Sequence, residues 1–202
     1  MIITRIEVLN KTKVNIYLDG EYSFFLAQKE VDQLNITEGD EIPSSFYDSL
    51  LEKIVLPKAK LKALSILKFM NRTESELRSK LSDAGFTQSI VDKAIQYVDS
   101  YGYLNDERLA ETYIRTRKND KSKLAIKMEL KQKGVDSKII DLVFSEEYDT
   151  EGEEDPEVVA IKKAVAKKTK SPEEMDYEAK QKLIASLYRK GFDISKIKQV
   201  IN

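Results

Sequence analysis

Hydrophobic and polar positions alternate at the start of the chain. Ile2, Thr4, Ile6 and Val8 share one side of an extended segment, and Val14, Ile16 and Leu18 interleave with Lys13, Asn15, Tyr17 and Asp19. This two-residue period is that of a strand with one face buried. Asp19-Gly20 falls between residues 14–18 and 22–26 and predicts a tight hairpin, because a type I′ turn needs positive φ at both central positions. Residues 1–45 are expected to form an antiparallel sheet of about three strands, too small to stand alone, that packs on the downstream part of the chain.

From Pro43 onward the period lengthens to that of a helix and stays there. Residues 46–58 are predicted to form a connecting helix. Residues 59–70 are apolar nearly all round, with Leu61, Ala63, Leu64, Ile66, Leu67, Phe69 and Met70, which predicts a helix buried among others. Thr73 and Glu76 have the spacing of a capping box that opens the next helix, and Gly85 stands where that helix must stop in a left-handed residue.

Aligning the chain on Gly85, Gly134 and Gly191 uncovers an internal repeat. Four residues before each glycine stands Leu81, Leu130 or Leu187, and eight before it Leu77, Ile126 or Leu183. Phe86, Val135 or Phe192 comes directly after. Six and ten positions past the glycine come Val91, Ile140 and Ile197, then Ile95, Phe144 and Ile201, so each copy reads as helix, glycine stop, helix with matched apolar faces. Residues 59–70, 106–118 and 158–168 supply a further helix before each pair. The glycines are 49 and then 57 residues apart, and the acidic run 146–157 can absorb the extra residues as a loop.

The predicted fold class is mainly α: three tandem three-helix repeats forming an elongated, curved array, preceded by a small antiparallel β-rich N-terminal domain. The expected boundaries are 1–45 for the β-rich domain, 46–58 for the connecting helix, 59–100 and 101–146 for two repeats, 147–156 for an acidic linker, and 157–202 for the third repeat. Gly85, Gly134, Gly191, Tyr103 and Leu104 are expected to be structural residues at the repeat joints, with Tyr103 and Leu104 plugging the handover from one repeat to the next.

Composition mainly excludes. The 202 residues contain no Cys and no His, which removes disulfides, thiolate or imidazole metal ligands and every triad that uses imidazole as base. No glycine-rich loop is present to cradle a nucleotide phosphate. Asp149, Glu151, Glu153, Glu154 and Asp155 resemble a calcium loop only superficially, since Gly152 falls fourth rather than sixth; a solvated linker is the better reading. No catalytic residue, metal or cofactor is expected. The amino end lacks the basic flank and long apolar core of a secretory signal, so an intracellular soluble protein is expected.

Charge changes the picture because it is segregated. The net charge is −1, which argues against a uniformly basic nucleic-acid binder. Residues 1–57 nevertheless hold 5 basic and 10 acidic groups, residues 58–138 hold 18 and 11, residues 139–157 hold none and 9, and residues 158–202 hold 11 and 5. The densest basic stretch is in the middle repeat. Lys123, Lys127 and Lys131 recur every four residues on one predicted helix, with Arg115, Arg117, Lys118 and Lys121 just upstream and Arg108 on the outer face of the helix before. Such a stripe can track a row of phosphates; the alternative is a merely solvated surface. Glu111 is placed to pair with Arg115. Tyr101, Tyr103 and Tyr113 lie nearby, and packing is favoured over base stacking for them.

Several of these segments are similar to the regulatory protein RecX family. The residues that carry the resemblance are Arg72-Thr73-Glu74-Ser75-Glu76-Leu77-Arg78-Ser79-Lys80-Leu81, Gly85-Phe86, and the run from Tyr101 through Gly102-Tyr103-Leu104-Asn105-Asp106 to Ala110. Ile126, Glu129-Leu130, Lys133-Gly134-Val135 and Arg189-Lys190-Gly191-Phe192 continue it. It spans residues 59–202; the amino-terminal 45 residues fall outside it, and their role is unassigned. Ser122 and Leu109 depart from the pattern, which favours Gly and Phe there.

The resemblance implies a non-enzymatic modulator of the RecA recombinase that binds RecA and its nucleoprotein filament on DNA. Inhibition of recombinase, ATPase and coprotease activities is the expected direction. Arg108, Arg115, Arg117, Lys118, Lys121, Lys123, Lys127 and Lys131 are the candidates for contact with the filament or directly with single- or double-stranded DNA. A cytoplasmic monomer without membrane contact is expected. The alternative is a helix-turn-helix DNA-binding transcriptional regulator, although the post-glycine helices are poor in base-reading side chains; residues 90–97 offer Lys93 and Gln96.

Overall fold

The computed structural model describes residues 1–148, 154–169 and 171–201. The chain forms two compact units, Met1–Leu104 and Asn105–Asn202.

In the first unit, strands β1 (Ile3–Asn10), β2 (Lys13–Leu18) and β3 (Glu21–Leu26) make one antiparallel sheet in chain order. Asp19 and Gly20 turn β2 into β3 with φ of 49° and 91°, the paired positive values that the dipeptide predicts. Val14, Ile16, Leu18, Phe24 and Leu26 alternate inward. β1 departs from its simple alternation: the register shifts between Ile3 and Arg5, so Ile3 is buried while Ile2 and Val8 are exposed. One displaced residue moves the side chains beyond it to the other face.

Helix α1 (Gln28–Leu34) was not expected from the periodicity. It buries only Val31 and opens with the Ala27 N–H donating to the Glu30 carboxylate at 2.6 Å. Helix α2 (Ser44–Leu50), a π-helical turn (Leu51–Val55) and α3 (Leu56–Phe69) succeed one another without a break. The reading of residues 59–70 as apolar and buried all round is corrected: α3 buries Leu56, Ala59 and Ala63, whereas Leu61, Phe69 and Met70 stand in solvent. Its inner face uses small residues that let the neighbouring helix approach closely.

Helices α4 (Glu74–Asp83) and α5 (Gln88–Ser100) complete the first unit. Thr73, fully buried, caps α4: its Oγ1 accepts from the Glu76 N–H at 3.1 Å, and its own N–H donates to the Glu76 carboxylate at 3.3 Å. The sheet rests on the turn after α4. Lys13 Nζ donates to the Ala84 carbonyl at 2.9 Å, the Tyr22 hydroxyl donates to the Gly85 carbonyl, and the Phe25 and Phe86 rings lie 5.0 Å apart.

The second unit holds two helix triplets. The first is α6 (Asp106–Arg117), α7 (Lys123–Gln132) and α8 (Ser137–Glu147). The second is α9 (Pro156–Ala166), α10 (Tyr177–Arg189) and α11 (Ile194–Ile201). The centre of the expected acidic linker, residues 149–153, lies outside the described residues. Glu157, counted in the acidic loop, instead sits in the first turn of α9 and is buried.

All fifteen apolar positions of the repeat alignment are buried. Gly85, Gly134 and Gly191 have φ of 103°, 81° and 83°, and each closes its helix in the same way. The amides of Phe86, Val135 and Phe192 donate to the carbonyls of Leu81, Leu130 and Leu187, and the glycine amides to those of Ser82, Lys131 and Tyr188. This is a Schellman stop, in which the residue after the glycine packs on the last helical turn. The fold is therefore mainly α, with three equivalent helix–glycine–helix elements and an N-terminal three-stranded sheet. Among the described residues, no helix is long and apolar enough to cross a membrane.

Candidate cationic interface

The middle repeat's basic residues project from α6, the segment after it, and α7. Asn105 caps α6 by accepting from the Arg108 N–H at 2.7 Å, which fixes the first turn and points Arg108 outward. Ser122, 1% exposed, caps α7 by accepting from the Ala125 N–H. Its hydroxyl also donates to the Lys190 carbonyl at 2.6 Å, so the departure from glycine gives α7 a polar tie to the third repeat.

Most of the expected contact residues are already engaged. Arg115 donates to Glu147 rather than to Glu111, with Nε at 3.1 Å, and Lys118 Nζ reaches the Glu147 carboxylate at 3.1 Å and its carbonyl at 2.7 Å. The cross-helix carboxylate wins because Glu147 is nearly enclosed at the end of α8, where a charge is screened least. Burial pushes the Glu147 carboxyl upward, but hydrogen bonds from Arg115 and Lys118 more than offset this and hold it below the ordinary range. Lys121 pairs with Glu129, which also accepts from the Tyr113 hydroxyl at 2.8 Å. Burial again opposes these bonds, and the Glu129 carboxyl is nevertheless lowered.

The lysine stripe of α7 is not a uniform row of free ammonium groups. Lys127 pairs with Asp141 at 2.6 Å and lies 5.3 Å from the Phe144 ring centre; its hydrogen bond holds Asp141 below the usual carboxylate range. Lys123 sits 4.9 Å from the Tyr148 ring and 5.4 Å from that of Phe144. Arg117 covers the Tyr113 ring at 3.8 Å. Among the described residues, only Arg108 and Lys131 of the eight candidates have neither an ion pair nor a ring contact.

Of the two residues expected to plug a joint, Leu104 is buried in the first unit's core, whereas Tyr103 is 56% exposed. Tyr103 stacks on Tyr101 with ring centres 6.1 Å apart, and Tyr101 in turn meets Tyr97 at 5.1 Å. The second unit's own joint is built from residues that sequence patterns do not single out. Glu157, 3% exposed, accepts from the Lys123 N–H at 3.1 Å and from Lys196 Nζ at 3.0 Å, and Lys196 also reaches Asp155 at 2.7 Å. Glu157 thereby ties α7, α9 and α11 together. A second basic cluster was also missed: Lys163, Lys167, Lys168 and Lys190 gather beside Phe192. Its signals in the sequence are the basic excess of residues 158–202 and the doubled lysines at 162–163 and 167–168. Among the described residues, no group of three or more Asp and Glu could hold a metal ion.

Comparison with known proteins covers the whole chain. Profiles of the RecX N-terminal domain and of the first, second and third three-helix domains of RecX match residues 1–43, 59–97, 105–143 and 155–201. The first of these corrects the expectation that the amino-terminal residues lie outside the resemblance. Regulatory protein RecX of Caldanaerobacter subterraneus subsp. tengcongensis is 33% identical over 204 residues, covering 100% of this chain and 99% of the relative. RecX of Clostridium acetobutylicum is 32% identical over 206 residues, covering 98% and 94%. A crystal structure of regulatory protein RecX superimposes with a TM-score of 0.65 at 26% identity, covering 98% of both chains. RecX from Lactobacillus salivarius gives 0.62 at 26% identity, covering 72% of this chain and 94% of that one.

Proposed function

The chain belongs to the RecX family of regulatory proteins, and from that premise we propose that it binds the RecA recombinase and its filament on DNA and inhibits RecA's recombinase, ATPase and coprotease activities. It does so in the cytoplasm as a binding protein, with no bond-making chemistry of its own. The observation that carries this reading is the end-to-end match of all four RecX domains, in order, on one chain.

The basic face supplies a physical rationale. RecA on DNA is a repetitive polyanionic polymer, and a chain of similar units gains affinity by engaging several sites at once. Arg108 and Lys131 are the cations of the middle repeat that meet this polymer first, since neither gives up an internal ion pair to do so. Arg115, Lys118, Lys121 and Lys127 keep their carboxylate partners, and Lys123 and Arg117 remain on their rings. Direct contact with single- or double-stranded DNA belongs to the same reading. Operator recognition by α5 is the weaker reading, because Lys93, one of the two base-reading side chains within residues 90–97, pairs with Glu52.

The test is titration into RecA filaments on single-stranded DNA while ATP hydrolysis is followed at two salt concentrations. Wild type should suppress hydrolysis, and R108E/K131E should require several-fold more protein for the same suppression while keeping its helicity. Hydrolysis unaffected by excess wild-type protein would refute the proposal. Equal potency of R108E/K131E would remove these two residues from it.

A further inference from the structure

Four lysines converge on a cleft of about 190 Å³ in the third repeat. The end of α9 contributes Lys163, Lys167 and Lys168, the glycine turn after α10 contributes Lys190 and Phe192, and Asp120 approaches from the segment after α6. Lys163 reaches Asp120 at 3.2 Å. Among the described residues, Lys167, Lys168 and Lys190 have no ion pair, whereas four of the eight candidate cations of the middle repeat, Arg115, Lys118, Lys121 and Lys127, are matched by a carboxylate.

Lys167 and Lys190 occupy the C-cap positions of α9 and α10, where cations are favoured. Two helix ends supply only about half a negative charge each, however, and Asp120 one more. Against four lysines this leaves an excess of about two positive charges around a concavity floored by the buried Phe192 ring. Like charges held around a low-dielectric floor repel one another, and a bound anion relieves that repulsion. An oxyanion with acceptors in several directions suits ammonium groups arriving from two helix ends.

We propose that this cleft receives a phosphate group, supplied either by a nucleic-acid strand or as free phosphate. The inference rests on the regulatory reading only in taking the strand as its first probe. It adds a contact point in the third repeat, away from Arg108 and Lys131 of the middle one.

The test uses the full chain and K167Q/K168Q, with K182Q/K198Q as a control of equal charge change outside the cleft. One arm measures a labelled single-stranded oligonucleotide by anisotropy at two salt concentrations, without RecA. A lost phosphate contact makes the log–log salt slope shallower by about 0.7, which at about 0.05 M salt is roughly an eightfold loss of affinity. The other arm titrates inorganic phosphate at constant ionic strength and follows the amide resonances of Ala164 and Phe192. Loss of affinity in the first arm, confined to the cleft variant, identifies a strand phosphate; phosphate-induced shifts present in wild type and absent from the cleft variant, with the first arm unchanged, identify free phosphate. If neither arm distinguishes K167Q/K168Q from wild type, or the control loses as much, the proposal is overturned. Failure here with RecA inhibition intact leaves the regulatory reading standing. A cleft variant that loses the strand while wild type leaves RecA hydrolysis untouched has the opposite meaning.

Discussion

Replacing Gly191 with alanine tests whether the glycine stop is a backbone requirement alone or also a packing requirement. At φ of 83° an L-residue is strained by about 1–2 kcal/mol. The added methyl would also stand 3.0 Å from Ser122 Oγ and 3.2 Å from Leu124 Cβ. Such crowding in a packed joint costs a further 1–3 kcal/mol or so, for a total of about 2–5 kcal/mol. Gly102 provides the comparison: its φ is 68°, but a Cβ there meets nothing within 4 Å, so only the first cost applies. For a unit of this size each kcal/mol is worth about 4–8 °C in melting temperature. Calorimetry should therefore show G191A lowering its transition by roughly 10–40 °C and G102A by only about 4–16 °C. Because Ser122 Oγ is the nearest atom, S122A should relieve part of the crowding, and the double variant should be less destabilised than the two single effects added together, by about 1 kcal/mol. Equal shifts for G191A and G102A, or strict additivity with S122A, would refute the packing argument.

Two further outcomes concern the second unit's carboxylates. Glu157→Ala removes the carboxylate that holds Lys196 and the Lys123 N–H; breaking a buried pair from one side should cost about 3 kcal/mol in urea unfolding, and a loss under 1 kcal/mol would show that the clamp is incidental. Glu147 and Glu129 have carboxyls held below their ordinary value of 4.5, so the stability they contribute is complete above that value and fades as the pH falls through their lowered values. The urea midpoint should be steady from about pH 8 to 5.5 and drop below about 4.5, less steeply in E147Q; an identical acid slope in E147Q would exclude Glu147 as a contributor.

Features written in consecutive residues were legible in the sequence, and those written across the fold were not. The Asp19-Gly20 hairpin, the Thr73–Glu76 cap and the three glycine stops each depend on neighbours within a few positions, and all are present. Helix α1 escaped notice because Val31 is its single buried residue and its cap runs through Glu30, a residue type without an obvious start signal. The exposure of Phe69 was misread because an apolar residue announces its type, not whether a neighbour arrives to cover it. The candidate site suffered most. Arg115 meets Glu147, 32 positions away, and no helical spacing reveals that partner; likewise, nothing local brings Lys190, after α10, beside the three cleft lysines at the end of α9. Glu157 read as one more acid in a solvated run, when its place at the opening of α9 turns it inward.

The contacts around the first glycine turn give the N-terminal sheet a meaning. In the second unit, the carbonyl just before Gly191 accepts a hydroxyl from the preceding helix triplet, through Ser122. In the first unit, the carbonyl just before Gly85 accepts an ammonium from the sheet, through Lys13. The sheet therefore impersonates a repeat, offering the first triplet the handhold that another triplet offers the third. It works as a bookend, and a chain shorn of it would lay bare the face of Phe86 and invite a stranger's strand or helix to lean there instead.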